Sequence, residues 1–176
     1  MKSTISNNII LIGYRGTGKS VVADSLQKIT NMSKISIDDK IVRKYGQIPD
    51  FVKKHGWERF RKVETEILKA IDGSNVIIDC GGGIVEKSEN VKILKNIGQV
   101  FWLCASMEQI EKRLIDKIDR PALTKSGNFL QEIKEVLSRR IPLYKSVADF
   151  VIDTDSKQPD DIVSDILKCL QTQFRD

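Results

Sequence analysis

The chain has 176 residues, of which 40% are hydrophobic and 30% are charged, and its formal net charge is +5. This length suits a single domain with one buried core, and the composition is ordinary for a soluble globular protein. Three widely spaced cysteines, Cys80, Cys104 and Cys169, argue against a disulfide framework or a metal site and predict buried thiols.

No apolar stretch approaches the roughly 18 residues of a membrane span, and residues 1–7 lack the apolar core of a signal peptide. We therefore expect a cytoplasmic protein that does not contact membranes. The basic residues alternate with acidic ones along most predicted helices, and the sequence has no basic stripe with interleaved aromatic residues. The positive excess therefore does not indicate nucleic-acid binding.

Five short apolar segments have the pattern of parallel strands that are buried on both faces. They are Ile9–Ile12, Lys34–Ile37, Val76–Cys80, Val100–Leu103 and Phe150–Ile152. Helical patterns lie between them, with apolar stripes at residues 60–71, 133–137 and 162–170. This alternation predicts a single α/β domain, residues 1–176, with three α/β/α layers around a five-stranded parallel sheet. In such sheets, ligands bind at the carboxyl ends of the strands.

Residues 13–20, GYRGTGKS, lie between the first predicted strand and an amphipathic helix. This is the context of a P-loop, in which glycines let backbone N–H groups converge on phosphate oxygens at a helix N-terminus. Lys19 is expected to reach the β- and γ-phosphates, and the Ser20 hydroxyl to ligate Mg²⁺. The predicted nucleotide-binding residues of this segment are Gly13, Gly16, Thr17, Gly18, Lys19, Ser20 and Val21. We therefore expect the chain to bind a nucleoside triphosphate.

Further motifs follow the P-loop in order. They are Asp38 with Ile41, Phe60-Arg61-x-x-Glu64, Gly81-Gly82-Gly83, Arg120-Pro121, Arg140-x-Pro142-Leu143-Tyr144, and Asp153-Thr154 with Pro159 beyond. This ordered set resembles the shikimate kinase family of nucleoside-monophosphate-kinase-like P-loop proteins over nearly the whole chain. The resemblance implies transfer of the ATP γ-phosphate to the 3-hydroxyl of shikimate with Mg²⁺, a step of aromatic amino-acid biosynthesis, by a monomer. It also implies a substrate-binding subdomain at about residues 38–64 and a lid at about residues 117–128.

The resemblance assigns the acceptor site to four residues, Asp38, Arg61, Gly82 and Arg140. Arg61 and Arg140 are the guanidinium forks for the shikimate carboxylate, which a fork binds bidentately. Glu64, one helical turn after Arg61, orients that guanidinium. Asp38 accepts hydrogen bonds from the substrate hydroxyls and orients the attacking hydroxyl or takes its proton. Gly82 approaches the ring hydroxyls closely, because it has no side chain.

The resemblance also assigns residues around the nucleotide. Arg120 is the lid arginine, which closes over the phosphates and neutralises charge on the transferred group together with Lys19. Arg113 stacks on the adenine, and Pro159 lies in the segment that forms the other wall of the adenine site. The expected catalytic residues are therefore Lys19, Asp38 and Arg120.

The sequence departs from the family pattern at Ser36. The family usually has Asp-x-Asp at the end of the second strand, where the first Asp assists Mg²⁺ through water, whereas this chain has Ser36-Ile37-Asp38. The third predicted strand contains Asp79 after an apolar run, which is the Walker-B pattern for a carboxylate that holds Mg²⁺. We hypothesise that Asp79 takes over the role lost at position 36, so that Ser20 and Asp79 are the predicted metal ligands.

Three alternatives stay open at this point. A related kinase such as gluconate kinase shares the scaffold but should lack the paired arginines at positions 61 and 140. A small GTPase fits Asp79-Cys80-Gly81-Gly82 to its Asp-x-x-Gly motif, yet the chain has no Asn-Lys-x-Asp for guanine. A degenerate kinase that binds without turnover is favoured only by Ser36. The single histidine, His55, is expected in an exposed, Lys-rich turn without a catalytic role.

Overall fold

The computed structural model describes residues 7–114 and 129–172. Its strands are β1 (Ile9–Ile12), β2 (Ser33–Ser36), β3 (Val76–Asp79), β4 (Gln99–Cys104) and β5 (Phe150–Asp153). Its helices are α1 (Lys19–Thr30), α2 (Ile37–Tyr45), α3 (Ile48–Lys69), α4 (Ser88–Ile97), α5 (Met107–Leu114), α6 (Phe129–Val147) and α7 (Pro159–Thr172), and a short 3-10 helix covers Ile84–Glu86. The alternation of strands and helices follows the predicted pattern.

The five strands form one parallel sheet in the order β2-β3-β1-β4-β5. Every predicted strand is present, and the bounds differ by one residue at most. The second strand was expected to include Ile37, but it ends at Ser36. The reason is local: the Ser36 hydroxyl accepts a hydrogen bond from the Asp39 N–H and caps α2. Asp38 therefore lies in the first turn of a helix at the carboxyl edge of the sheet.

The core lies on both faces of the sheet, because successive strand residues point to opposite sides. Ile9 and Leu11 of β1 belong to the cluster that α1 and α7 cover. Ile10 and Ile12 belong to the cluster on the other face, which α2, α3, α4 and α6 cover. All four side chains are 1% exposed or less, so β1 is the buried centre of the sheet. This is the three-layer α/β/α arrangement that the sequence predicts.

Helix α3 is interrupted at Gly56, where φ is 77° and ψ is 164°. Residues that carry a Cβ atom rarely adopt this backbone conformation, so the position requires glycine. The break brings Phe51 of the first half close to Phe60 of the second, with 6.4 Å between the ring centroids. His55 lies in the first half of α3 and is exposed, so the expectation that it sits in a turn is wrong. The second half of α3 carries Arg61.

The three cysteines are free thiols; Cys80 is buried, whereas Cys104 and Cys169 are half-buried. Burial raises the pKa of both the Cys80 and the Cys104 thiol. Within residues 7–114 and 129–172, none of the helices has the length and apolar character that crossing a bilayer needs.

Candidate active site

The phosphate loop, residues 13–20, is shaped by three glycines. Gly13, Gly16 and Gly18 have φ values of +144°, +83° and +88°, which favour glycine over any other residue. A Cβ atom on Gly13 would lie 2.3 Å from the Leu103 carbonyl oxygen, so β4 packs directly against the loop. The Thr17 hydroxyl donates a hydrogen bond of 2.8 Å to the Tyr14 carbonyl. Packing and local hydrogen bonds therefore fix the loop backbone.

The loop ends at the N-terminus of α1, which Gly18 caps without a side-chain hydrogen bond. The N–H groups of a first helical turn have no intrahelical partner, and no acidic residue follows in this turn. Lys19 is buried, and its Nζ donates a hydrogen bond of 2.9 Å to the Tyr14 carbonyl. Val21, also predicted to bind nucleotide, is 54% exposed in the same turn. This helix end is an anion site of the kind that phosphates occupy.

Ser20 and Asp79 come together beside the phosphate loop. Asp79 is the buried last residue of β3, and the Ser20 side chain lies near enough to its carboxylate to influence its pKa. Burial raises the pKa of Asp79, while the charge of Lys19 and the polar Ser20 hydroxyl act in the opposite direction. Mg²⁺ at nucleotide sites uses one or two protein oxygens together with phosphate oxygens. The residues present therefore fit the predicted metal.

Ser36 lies next to Asp79, because these two residues are in register between β2 and β3. The Ser36 hydroxyl is 3.1 Å from the Asp39 backbone nitrogen, whose N–H it accepts. Position 36 therefore serves as a helix cap, and the nearest carboxylate across the strand pair is that of Asp79. This adjacency is consistent with the hypothesis that Asp79 replaces the carboxylate missing at position 36.

A cleft opens beside the phosphate loop. Within the described part of the chain, its lining is Arg15, Asp38, Ile48, Trp57, Phe60, Arg61, Glu64, Gly81, Gly82, Gly83 and Arg140. The four residues predicted for the acceptor site, Asp38, Arg61, Gly82 and Arg140, are all in this lining. A Cβ atom on Gly82 would lie 3.3 Å from the Gly13 carbonyl oxygen, so the cleft and the phosphate loop share a wall.

Two guanidinium groups face this cleft from α3 and α6. The Arg140 side chain is 3% exposed and the Arg61 side chain is 12% exposed. Arg61 Nη1 donates a hydrogen bond of 2.5 Å to Glu64 Oε2, which is the contact expected one helical turn apart. The Arg61 guanidinium also lies 5.3 Å from the Trp57 ring centroid, and that of Arg140 lies 5.9 Å from the Tyr14 centroid. Both cations are therefore held rigidly in a desolvated place, where charge-assisted hydrogen bonds are strong.

Two carboxyl groups converge beside Gly81. A Cβ atom on Gly81 would lie 2.7 Å from Glu64 Oε1 and 2.9 Å from Asp38 Oδ1. Glu64 is fully buried, and burial raises its pKa to about 7, although Arg61 acts against the shift. The Asp38 charge adds to the rise. Asp38 itself is half-buried and lines the cleft.

Glu86 joins the two arginines, and the sequence analysis did not identify it. Its Oε1 accepts a hydrogen bond from Arg140 Nε at 3.0 Å, and its Oε2 accepts one from Arg61 Nε at 3.2 Å. Arg139 Nη2 donates a third, of 2.7 Å, to Oε1. Burial works to raise the pKa of Glu86, but the three arginines hold it below its ordinary value.

Tyr144 and Arg15 also shape the site, although their motifs gave them no role. The Tyr144 hydroxyl donates a hydrogen bond of 2.5 Å to the Gly82 carbonyl and so ties the glycine loop to α6. Arg15 Nη2 forms an ion pair of 2.6 Å with Glu132 Oε1, which ties the phosphate loop to the same helix. The acceptor cleft therefore depends on α6 through more than Arg140.

Arg113 and Pro159, the predicted adenine residues, lie at the β5 side of the phosphate loop. Arg113 Nη1 donates hydrogen bonds of 3.1 Å to the Gly16 carbonyl and to Thr154 Oγ1, and its Nη2 donates one of 2.9 Å to the Thr154 carbonyl. Pro159 is the first residue of α7. The predicted lid, residues 117–128, lies outside the described residues, and so does Arg120.

Comparison with known proteins identifies the family to which the chain belongs. A family model described as shikimate kinase matches residues 15–171. The chain is 39% identical over 163 residues to a shikimate kinase of Thermodesulfovibrio yellowstonii, with 92% of this chain and 93% of the relative covered. The chain belongs to the shikimate kinase family. Its family and its α/β fold, both predicted from the sequence, are confirmed.

Other relatives agree with this assignment. A shikimate kinase of Caldicellulosiruptor bescii is 37% identical over 155 residues, with 87% of this chain and 89% of the relative covered. The fold matches that of a shikimate kinase from Acinetobacter baumannii, solved in complex with shikimate, with a TM-score of 0.91 and 30% identity. That comparison covers 98% of this chain and 97% of the other. As a member of the shikimate kinase family, the chain is an ATP-dependent kinase.

Proposed function

We propose that this shikimate kinase family member transfers the γ-phosphate of ATP to the 3-hydroxyl of shikimate, giving shikimate 3-phosphate and ADP. The observation that carries the proposal is that the buried Arg140 and the half-buried Arg61 line a cleft that shares a wall with the phosphate loop. An acceptor with one carboxylate suits this arrangement, because the arginines hold one end while a hydroxyl faces the phosphate. The shikimate complex of the Acinetobacter relative supports the choice of acceptor.

Asp38 is the proposed partner of the attacking hydroxyl. It lines the cleft, and its carboxylate lies next to that of Glu64 beside Gly81. Glu64 accepts a hydrogen bond from Arg61. Phosphoryl transfer depends mainly on positioning and on charge stabilisation, so orientation of the hydroxyl is the chief role and proton acceptance the second. Gly82, which has no side chain, allows the ring of the acceptor to approach the backbone.

The phosphate loop is the proposed binding site of the ATP phosphates. The N–H groups that begin α1 donate hydrogen bonds to the phosphate oxygens, and the Lys19 ammonium group leaves the Tyr14 carbonyl to contact the β- and γ-phosphates. Arg113, fixed against Gly16 and Thr154, is the proposed adenine neighbour together with Pro159. Arg120 keeps the lid role that the family resemblance implies.

Ser20 and Asp79 are the proposed ligands of Mg²⁺, which neutralises charge between the β- and γ-phosphates when it is bound. We expect Asp79→Asn to raise the Mg²⁺ concentration for half-maximal activity by about tenfold, because a neutral amide binds the cation more weakly than a carboxylate. The measurement is an Mg²⁺ titration of the initial rate at constant ATP. Asp24→Asn, which removes an exposed carboxylate that pairs with Lys34, is the control. An unchanged titration of Asp79→Asn would overturn the assignment.

The experiment that tests the proposed function follows ADP production from ATP and Mg²⁺, with shikimate, with gluconate or without acceptor. We expect turnover that depends on shikimate and that is lost in Arg61→Ala and in Asp38→Ala. Turnover with gluconate alone would place the chain among related kinases. Tight nucleotide binding without turnover on either acceptor would favour a protein that binds and does not catalyse.

The organisation around the site is also a proposal. We propose that residues 38–64 form the substrate-binding subdomain and that residues 117–128 form the lid of a monomer. Residues 38–64 support this by supplying Asp38, Trp57, Arg61 and Glu64 to the cleft. Light scattering after size exclusion measures the oligomeric state, and a dimer at working concentrations would contradict the last point.

A further inference from the structure

Glu86 bridges Arg61 and Arg140, the two arginines of the acceptor cleft, on the side away from the cleft. It ends the 3-10 helix that follows the glycine loop, and its two carboxylate oxygens take the Nε atoms of Arg61 and Arg140. The described lining of the cleft includes both arginines and does not include Glu86. Glu86 therefore acts on any acceptor through the arginines and does not contact the acceptor itself.

The remaining edges of the guanidinium groups lie toward the glycine loop. Arg61 Nη2 is 2.0 Å from the position that a Cβ atom on Gly83 would take, and Arg140 Nη1 is 3.5 Å from the corresponding position on Gly82. Glu86 takes both Nε atoms and Glu64 takes Nη1 of Arg61, so the guanidinium atoms beside the glycine loop of the cleft are Arg61 Nη2 and Arg140 Nη1. Glu86 thus orients both guanidinium groups, because each of its two carboxylate oxygens accepts a hydrogen bond from one arginine.

Glu86 also limits the charge of the site. Arg61 and Arg140 are two cations in a desolvated place, and Glu86 cancels one of them; Glu64 cancels the other in the fraction of molecules in which it is ionised. Arg139 adds little, because 58% of its side chain is exposed and water screens it. A singly charged carboxylate suits this balance, whereas a second negative charge would be desolvated without a partner.

We propose that Glu86 is a positioning residue that sets acceptor specificity, by restricting the Arg61–Arg140 pair to singly charged carboxylates. This inference rests on the proposed function, in which the two arginines bind the acceptor carboxylate. It predicts that removal of the Glu86 charge favours doubly charged anions in particular, because their attraction to the added positive charge is twice as large.

The test uses two competitive inhibitors that share one ring: cyclohexanecarboxylate, with one negative charge, and cyclohexane-1,1-dicarboxylate, with two. Both are measured against shikimate at saturating Mg²⁺ and ATP, at a pH where the carboxyl groups of both inhibitors are fully ionised. In Glu86→Gln we expect the ratio of the dicarboxylate to the monocarboxylate inhibition constant to fall by about fivefold or more. Glu89→Gln, which removes an exposed carboxylate paired with Lys69, should leave the ratio unchanged.

Glu86→Met, which keeps the side-chain volume without the charge, is the second variant, and thermal unfolding shows that each variant is folded. A ratio within about twofold of the wild-type value in both variants would overturn the proposal. Parallel weakening of both inhibitors would also overturn it, because that result indicates a structural role alone. If the wild type does not turn over shikimate, the proposed function fails instead, and calorimetric titration of the two inhibitors still reports the selectivity.

Discussion

The phosphate loop and the acceptor cleft lie side by side, but they are built in different ways. The loop is one contiguous segment, residues 13–20, whose binding groups are main-chain N–H groups held in place by glycine conformations. The cleft is lined by side chains of α2, α3 and α6, by the backbone of the glycine loop and by Arg15 of the phosphate loop. Its charged groups hold one another: Arg61 contacts Glu64 and Glu86, and Arg140 contacts Glu86.

This difference has a consequence for substitutions. A site made of backbone groups changes little when one side chain is replaced, unless that side chain carries the charge or a glycine conformation is lost. A linked set of buried ions loses more, because removal of one partner leaves another charge unpaired in a desolvated place. The phosphate loop should therefore depend on few side chains, and the cleft on many.

The largest expected effect is that of Lys19, the one buried cation of the phosphate loop. We expect Lys19→Met to lower kcat by about a thousandfold, because the loop backbone stabilises bound phosphate but cannot replace a cation on the transferred group. Single-turnover kinetics at saturating ATP and shikimate measures the loss. Lys28→Met, at the far end of α1, is the control. A decrease of less than about tenfold would mean that backbone groups alone carry the chemistry of this loop.

A second prediction concerns Glu64 in the cleft, whose pKa in the folded protein is raised to about 7 from the ordinary 4.5. The folded state therefore binds a proton more tightly than the unfolded state does. This stabilisation is complete below about pH 4.5 and is lost as the pH rises through about 7. The wild type should lose up to about 3 kcal/mol across this range relative to Glu64→Gln. Urea unfolding at several pH values measures the difference.

The control for this pH effect is Glu66→Gln, because Glu66 is exposed and pairs with Arg59 on the surface of the same helix. Its profile should run parallel to that of the wild type. If the profile of Glu64→Gln also runs parallel to the wild-type profile, the pKa of Glu64 is the same in the folded and the unfolded state. Burial would then perturb Glu64 no more than it perturbs a surface carboxylate. The contrast between the loop and the cleft would then be weaker than the burial indicates.

What the sequence predicts differs between the two regions for the same physical reason. The phosphate loop and β1 are contiguous, so the glycine spacing and the apolar run predicted them, with the bounds of β1 correct at both ends. The family resemblance placed Arg61, Arg140 and Asp38, which the fold brings to one cleft. Glu86 was missed because its partners Arg61 and Arg140 are 25 and 54 positions away, and no local pattern marks such a contact.

A pair of glycine substitutions sharpens the comparison. In Gly83→Ala the new Cβ would lie 2.0 Å from Arg61 Nη2, while the φ of −97° accepts alanine without strain. We expect the KM for shikimate to rise by about tenfold, because the guanidinium must move, with the KM for ATP within about twofold. In Gly18→Ala no described atom lies within 4 Å of the Cβ, but φ is +88°. Here the KM for ATP should rise instead.

Steady-state kinetics with each substrate varied in turn measures both variants. The two effects separate only if the cleft and the loop are independent in their binding. They share a wall, where Gly82 approaches the Gly13 carbonyl, and this contact is the route by which a change in one site would reach the other. An equal rise of both KM values in Gly83→Ala would show that the glycine loop positions the nucleotide as well as the acceptor.

The smallest expected effect is at Ser36, at the border between the two regions. Ser36→Ala removes the hydroxyl that accepts the Asp39 N–H and should lower the free energy of unfolding by about 1 kcal/mol, without changing the Mg²⁺ titration. Ser36→Asp keeps a capping side chain and places a carboxylate next to Asp79 in the strand register. It should leave stability nearly unchanged and lower the Mg²⁺ concentration for half-maximal activity. If Ser36→Ala impairs the Mg²⁺ response instead, the serine hydroxyl itself acts near the metal. Asp79 would then not have taken over the role of the carboxylate missing at position 36.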